Sequence, residues 1–279
     1  MRVLEAIKAG SKLLKEKNIS TYILDSELLL SKSLKKPREE ILINLEQNIN
    51  EKVLVDFNDY LLRRSKKEPI AYLLGEKEFW SREFFVNKDT LIPRPETELL
   101  VDKLVTIFKK KRMTILDIGT GTGCIIISLL IELKNSTGMA IDISKEAITV
   151  AKKNANKFNL FDRIKFIHKP FKELYEKKFD LIVSNPPYIK RKDIKNLSDD
   201  IKKFEPKMAL DGGNDGLDLV KKIIYKSREI LKINGTLALE IGNEQINKVS
   251  RILTDSKFRI ICVIKDYRNN VRCVIAKYK

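Results

Sequence analysis

From Met113 onward, short apolar runs alternate with helical segments, and this pattern leaves few folds open to the chain. The runs are TILDI, GMAIDI, RIKFIH, FDLIVS, GTLALEI, RIICVI and VRCVIAK. Strands separated by helices predict a mostly parallel sheet with right-handed crossovers. Only Asp266-Tyr267-Arg268-Asn269-Asn270 joins the last two runs, too short a link for a crossover, so they are expected to pair antiparallel.

Before this region the periodicity is helical. Leu4, Ile7, Leu13 and Leu14 recur at three- and four-residue intervals, as do Ile23, Leu24, Leu28 and Leu30, and then Val53, Leu54, Phe57, Leu61 and Leu62. Pro37 marks a helix start, Asn50 a cap for the fourth helix, and Pro69 its end. Residues 78–92 turn aromatic and β-branched around Asn87-Lys88-Asp89, which predicts a hairpin turning there. A helix is expected from Glu96 to about Lys110, with Pro95 near its first turn.

Composition narrows the function. The 279 residues are 43% hydrophobic, with 11 Gly and 8 Pro, which excludes disordered and collagen-like classes. No uncharged apolar stretch nears the roughly 18 residues that span a bilayer. The early charges in Met1-Arg2-Val3-Leu4-Glu5 do not suit a secretory leader, so a cytoplasmic location without membrane attachment is expected. Cys124, Cys262 and Cys273 lack C-x-x-C spacing and predict reduced thiols. A single histidine, His168, argues against an imidazole relay or a histidine-rich metal site, and no metal is expected. The net charge is +17, and residues 1–90 carry 17 cations against 15 anions, so the excess lies beyond them. That charge reads either as a footprint for nucleic acid or as compositional drift, since 41 of the 55 cations are Lys.

Two constellations carry chemistry. Asp117-Ile118-Gly119-Thr120-Gly121-Thr122-Gly123 ends the TILDI strand and opens a helix, letting a ligand approach bare backbone at the carboxyl edge of the sheet. Cys124 and Ile125 replace the Lys-Ser/Thr of a phosphate loop, and the spacing is not G-x-G-x-x-G. Asp142 follows Gly123 by 19 residues, close to the offset of about 20 expected for a carboxylate that grips ribose hydroxyls.

The second constellation is Asn185-Pro186-Pro187-Tyr188, after the FDLIVS strand and 66 residues beyond Gly119. The chain should return there to the strand beside the glycine loop, so both motifs converge on one crevice. The Asn185 side-chain oxygen and the Pro186 carbonyl are two acceptors for the two N–H bonds of a target NH2 group, and the prolines stiffen the turn without adding donors. Tyr188 offers an apolar face to a planar target.

On these residues the chain resembles the S-adenosylmethionine-dependent methyltransferases that act on planar NH2 groups. Residues 79–80 and 91–98, with Pro93-Arg94-Pro95-Glu96-Thr97-Glu98, and residues 205–217, with Glu205-Pro206-Lys207-Met208-Ala209-Leu210-Asp211-Gly212-Gly213, make it similar to the peptide chain release factor glutamine methyltransferase family (PrmC/HemK type). The resemblance implies an α/β fold: a Rossmann-like class I methyltransferase seven-stranded sheet with an antiparallel C-terminal hairpin, plus a small N-terminal all-α domain. It implies a helical bundle for partner recognition over 1–72, a hairpin linker over 73–95 and a methyltransferase domain over 96–279. S-adenosyl-L-methionine would be held by Gly119, Thr120, Gly121, Thr122, Gly123, Asp142, Pro170, Phe171 and Asn185. Asn185, Pro186, Pro187 and Tyr188 would bind the substrate, with Asn185, Pro186 and Tyr188 catalytic. The substrate implied is the glutamine amide in the Gly-Gly-Gln loop of class I release factors, with nucleic acid not required. Lys169 stands where relatives commonly place an acid, and Asn269 where a glycine is usual. A rival expectation is amino-group methylation of DNA or RNA, or of a ribosomal-protein glutamine. A third is a non-catalytic cofactor-binding scaffold.

Overall fold

The computed structural model describes residues 1–175 and 178–279, which divide into two compact units. The first comprises Met1–Glu76 with Ser198–Phe204, the second Lys77–Leu197 with Glu205–Lys279. The first begins with five helices, α1 (Val3–Glu16), α2 (Tyr22–Leu34), α3 (Arg38–Ile43), α4 (Glu51–Ser65) and α5 (Ile70–Leu74). Asn50 caps α4, its side-chain oxygen accepting from the Val53 amide at 2.9 Å. Helix α4 already stops at Ser65, and Pro69 instead precedes the short α5.

Part of the apolar pattern faces outward: Ile23, Leu24 and Leu62 are exposed, while α2 buries Asp25, Ser26 and Leu29. Close approach sets that rotation. A Cβ on Gly10 of α1 would stand 2.5 Å from Ser26 Oγ and 2.9 Å from Phe57 Cζ, so bare backbone lets three helices meet. Buried Asp25 is matched by Arg64 of α4, whose Nε donates to Oδ2 at 2.7 Å. Asp25→Ala would leave that guanidinium buried without its carboxylate, with only the Glu68 carbonyl still accepting from Nη1, and should lower stability by about 3 kcal/mol in urea unfolding of the full chain. Arg2→Ala, which removes only exposed pairs with Glu5 and Glu46, should leave the urea midpoint close to that of the wild type.

The second unit opens with a two-stranded hairpin, β1 (Glu76–Phe79) and β2 (Arg82–Phe85). Its turn is Trp80-Ser81, both at φ 54°, and not the expected Asn87-Lys88-Asp89. Those three residues form a later turn in which Asn87 Oδ1 accepts from the Asp89 amide at 3.0 Å. Asn and Asp favour turns locally, whereas the unfavourable left-handed Trp80 is held by distant partners. Its backbone amide donates to Glu98 and its indole N–H to Glu132, each at 3.1 Å. Phe79 and Phe84 are fully buried and meet edge to face, so the hairpin forms part of this unit's core.

The remaining elements are α6 (Pro95–Phe108), β3 (Thr114–Ile118), α7 (Cys124–Glu132), β4 (Thr137–Asp142), α8 (Lys145–Lys157), β5 (Ile164–His168), β6 (Phe179–Ser184), α9 (Asp199–Phe204, in the first unit), α10 (Asp218–Ile230), β7 (Leu231–Glu240), α11 (Ile246–Asp255), β8 (Phe258–Lys265) and β9 (Val271–Tyr278). The large sheet has the order β5-β4-β3-β6-β7-β9-β8. Strands β3 to β7 pair in parallel, and β9 lies antiparallel between β7 and β8. Alternating side chains feed two apolar layers: Ile115 packs with Leu100, Leu104 and Ile126 on one face, Leu116 with Val220, Ile223 and Leu253 on the other. This is the expected Rossmann-like seven-stranded sheet with an antiparallel terminal pair. In the β8–β9 loop Asn269 takes φ 65°, a conformation asparagine tolerates.

Candidate active site

Strand order reverses at β3, where the chain runs outward to β4 and β5 and then returns to β6 on the other side. A crevice opens at the carboxyl ends of such neighbours. Asp117 pairs with Val183, and one residue further the Ser184 hydroxyl donates to the Ile118 carbonyl at 2.6 Å. Gly119 and Asn185 therefore leave the sheet side by side. The cleft between them is lined by Gly119, Thr120, Gly121, Thr122, Asp142, Phe171, Asn185, Pro186 and Pro187 among the expected residues, and also by Lys169. Residues 91–98 contribute Arg94 and Thr97 to the same wall, and residues 205–217 contribute Pro206 and Met208. Gly123, Pro170 and Tyr188 stand outside that wall.

The glycine loop is pinned by backbone and carboxylate together. The Gly119 and Thr120 amides donate to the Ile141 carbonyl at 2.9 and 3.1 Å. Asp142 accepts from the Gly121 amide through Oδ2 and from the Ser144 amide through Oδ1, both at 3.0 Å. Gly119 and Gly121 have φ values of 71° and 55°, and open space lies where a Cβ would stand. Gly123 differs: a Cβ there would meet Ile127 Cδ1 at 3.0 Å, so it serves helix packing. Asn154 of α8 donates through Nδ2 to the Thr122 and Phe85 carbonyls at 2.9 and 3.0 Å, tying the loop to β2.

Beneath the loop, Asp117 Oδ2 accepts from the Thr120 hydroxyl at 2.7 Å, while buried Oδ1 has no partner among the described residues. Burial pushes the Asp117 carboxyl up to about 7. The Cys124 thiol is likewise pushed up by burial to about 12, which keeps it protonated and unsuited to nucleophilic attack. His168 is exposed, with Nε2 at 3.0 Å from the Ile143 carbonyl. Because the folded state binds the Asp117 proton more tightly than the unfolded chain does, its stabilising effect is complete below the ordinary value of 3.8 and is lost as pH rises through about 7. Asp117→Asn should therefore flatten the wild-type fall in stability between those limits, measured as urea midpoints across a pH series.

At the tetrad, Asn185 Nδ2 donates to the Thr97 hydroxyl oxygen at 3.2 Å. That hydroxyl donates to Glu240 Oε2 at 2.6 Å, and the Tyr188 phenol donates to Glu240 Oε1 at 3.1 Å. Glu240 is 1% exposed, and burial raises its pKa above the ordinary carboxylate value. Burial also raises the Tyr188 phenol, so it remains a donor. Among the described residues, Asn185 Oδ1 and the Pro186 carbonyl accept no hydrogen bond.

Two further braces hold these pieces. Gln245 Nε2 donates to the Tyr188 and Gly216 carbonyls at 3.0 and 3.1 Å. Cβ atoms on Gly212 and Gly216 would lie 2.8 Å from the Pro187 carbonyl and 2.4 Å from the Tyr188 carbonyl, so the glycine-rich segment lies directly against the tetrad. Glu205 accepts from the Ile92 amide at 3.1 Å and from Arg94 Nη2 at 2.6 Å, fixing residues 91–98 as cleft wall.

Residues 5–75 match the PrmC N-terminal domain family, and residues 109–269 match a methyltransferase domain family. A release factor glutamine methyltransferase of Clostridium acetobutylicum is 39% identical, over 99% of this chain and 98% of its own length. The chain belongs to the release factor glutamine methyltransferase family. A bifunctional methyltransferase of Rickettsia conorii is also 39% identical over 92% of this chain, but the match covers only 54% of that protein, so the chain spans about half the length of this relative. A methyltransferase structure from Pyrococcus furiosus shares the fold, with a TM-score of 0.54 at 18% identity over 72% of this chain and 91% of that one.

In this release factor glutamine methyltransferase family member, reasoning from sequence passed over Thr97, Glu240, Gln245 and Asn154. Glu240 did leave a signal: it is the one acid in the apolar run GTLALEI, and buried carboxylates are rare unless partnered. Thr97 lies between Glu96 and Glu98, acids that suit a helix start and mask the hydroxyl between them. Gln245 and Asn154 left none, because the backbone groups through which they brace the site, Tyr188 and Gly216 for one and Phe85 and Thr122 for the other, are remote in sequence.

Proposed function

We propose that this chain transfers the methyl group of S-adenosyl-L-methionine to the side-chain amide nitrogen of the glutamine in the Gly-Gly-Gln loop of class I peptide chain release factors. The observation that carries this reading is the pair of unpartnered acceptors, Asn185 Oδ1 and the Pro186 carbonyl, on a braced turn beside the glycine loop. A carboxamide nitrogen is a weak nucleophile because its lone pair is conjugated. Two fixed acceptors match its two N–H bonds and hold the nitrogen in one orientation. Tyr188 contributes by anchoring the far end of the turn through Glu240.

The open space over Gly119 and Gly121 supports a fit to the cofactor, as does a cleft wall that includes Phe171 and Asp142. In this reading residues 119–123 and the Asn185 backbone hold its methionine end, leaving the Asn185 side chain to the acceptor, while Asp142 holds its ribose, and Pro170 and Phe171 its adenine side. When bound, S-adenosyl-L-methionine supplies an electrophilic methyl group on a sulfonium. The chain's own work is then positioning, with no strong base required. The helical bundle over 1–72 recognises the large protein partner, and the hairpin, expected as a linker over 73–95 but packed into the core of the second unit, acts with residues 96–279 as the methyltransferase domain. A translation factor as substrate places the reaction in the cytoplasm.

The surplus of positive charge beyond residue 90 favours one rival, methylation of an exocyclic amine in DNA or RNA, which the same two acceptors would suit. Labelled methyl transfer separates the two. Labelling of a release factor, abolished by Gln→Ala in its Gly-Gly-Gln loop, is the expected result, and equal labelling of naked nucleic acid would favour the rival. Asn185→Ala should lower kcat by about 100-fold while cofactor Kd, measured by calorimetry, stays within about twofold. A matching loss of cofactor affinity would reassign the side chain.

A further inference from the structure

The two ends of an asparagine amide have nearly the same shape and opposite hydrogen-bonding character. Which end faces a target NH2 group decides whether Asn185 accepts from it or competes with it as a donor. Something must therefore fix the rotation about the last bond of that side chain, and the tetrad itself holds no such group.

The neighbours settle the direction by their chemistry. Burial raises the Glu240 pKa, but the Thr97 and Tyr188 hydroxyls each donate to one of its oxygens and pull it back toward the ionised form; an ionised carboxylate only accepts, whereas a hydroxyl both donates and accepts. Glu240 Oε2 lies 2.6 Å from the Thr97 hydroxyl, which therefore spends its single proton on the carboxylate. The remaining lone pairs of that oxygen face Asn185 and can only accept, so they take the Nδ2–H at 3.2 Å and leave Oδ1 outward. The other carboxylate oxygen takes the Tyr188 phenol at 3.1 Å, so one group fixes both ends of the tetrad. Thr97 is 2% and Glu240 1% exposed, so both ends of the link are buried. Thr97 sits in the first turn of α6 and Glu240 is the last residue of β7, both on rigid elements.

We infer that Thr97 and Glu240 are positioning residues, a proton-ordered relay that sets the Asn185 amide with its oxygen toward the acceptor substrate. This rests on the functional reading above, in which Asn185 Oδ1 receives an N–H of the glutamine amide. Loss of the Thr97 hydroxyl frees the amide to rotate, and a Gln in place of Glu240 offers an N–H that reverses the relay.

Two readouts test it, one of them independent of turnover. In protein labelled with 15N-asparagine, the Asn185 side-chain NH2 signals, assigned by their loss in Asn185→Ala, should shift in Thr97→Val and Glu240→Gln and return in Thr97→Ser. In the methyl-transfer assay, Thr97→Val and Glu240→Gln should lower kcat by about 100-fold. KM for the cofactor should be unchanged, and Thr97→Ser should recover most of the loss. Wild-type signals and kcat in both Thr97→Val and Glu240→Gln would overturn the relay, as would a Thr97→Ser as impaired as Thr97→Val. If the wild-type chain methylates no release-factor glutamine, the functional reading fails, and the NH2 signals still decide whether the relay orders Asn185.

Discussion

Strands β3 and β6 pair in parallel with a constant separation of 66 residues, from the Thr114 amide on the Asp180 carboxylate at one end to the Ser184 hydroxyl on the Ile118 carbonyl at the other. Every feature of the site depends on that register. A slip of one residue would turn Ile115, Leu116, Leu181 and Ile182 to the wrong apolar layers, which both faces of a buried sheet forbid. With the register fixed, the glycine loop and the tetrad leave the sheet at the same height and line a single cleft, which on the proposed reading holds a methyl donor next to its acceptor.

The acceptor side is stiff because its supports are buried and come from far along the chain. Glu240 closes β7, Thr97 opens α6, and Gln245 precedes α11, yet all three act on residues 185–188. A buried carboxylate is costly unless its oxygens are satisfied. Here both are, by the Thr97 hydroxyl and the Tyr188 phenol, so the cost of burial is offset by the same bonds that order the turn. The donor side follows the same logic: Asp142 spends both oxygens on backbone amides, and Asn154 joins the glycine loop to β2.

The sheet was legible because its strands are apolar runs of the right length, and because the short Asp266 to Asn270 loop allows only an antiparallel pair. That the glycine loop, Asp142 and Asn185 to Pro187 converge on one cleft was legible because each motif is local to a few residues. The hairpin turn was not. Trp80 and Ser81 adopt the left-handed backbone that a two-residue hairpin turn requires, and Trp80 is held there by Glu98 and Glu132, partners that local preference cannot see. The same reason hid the outward face of α2, whose rotation follows from Gly10 and Arg64, and the Thr97–Glu240 link, which exists only once α6 and β7 meet. Tyr188 was expected to offer its ring to the target, whereas the structure places it outside the cleft wall with its phenol on Glu240.

The most direct measurement is a crystal structure of this chain with S-adenosylhomocysteine and a peptide containing Gly-Gly-Gln. The account predicts the glutamine Nε2 within about 3 Å of both Asn185 Oδ1 and the Pro186 carbonyl, with the sulfur seated over Gly119 to Gly121. A glutamine bound away from both oxygens, or an Asn185 amide turned with Nδ2 toward it, would contradict the account.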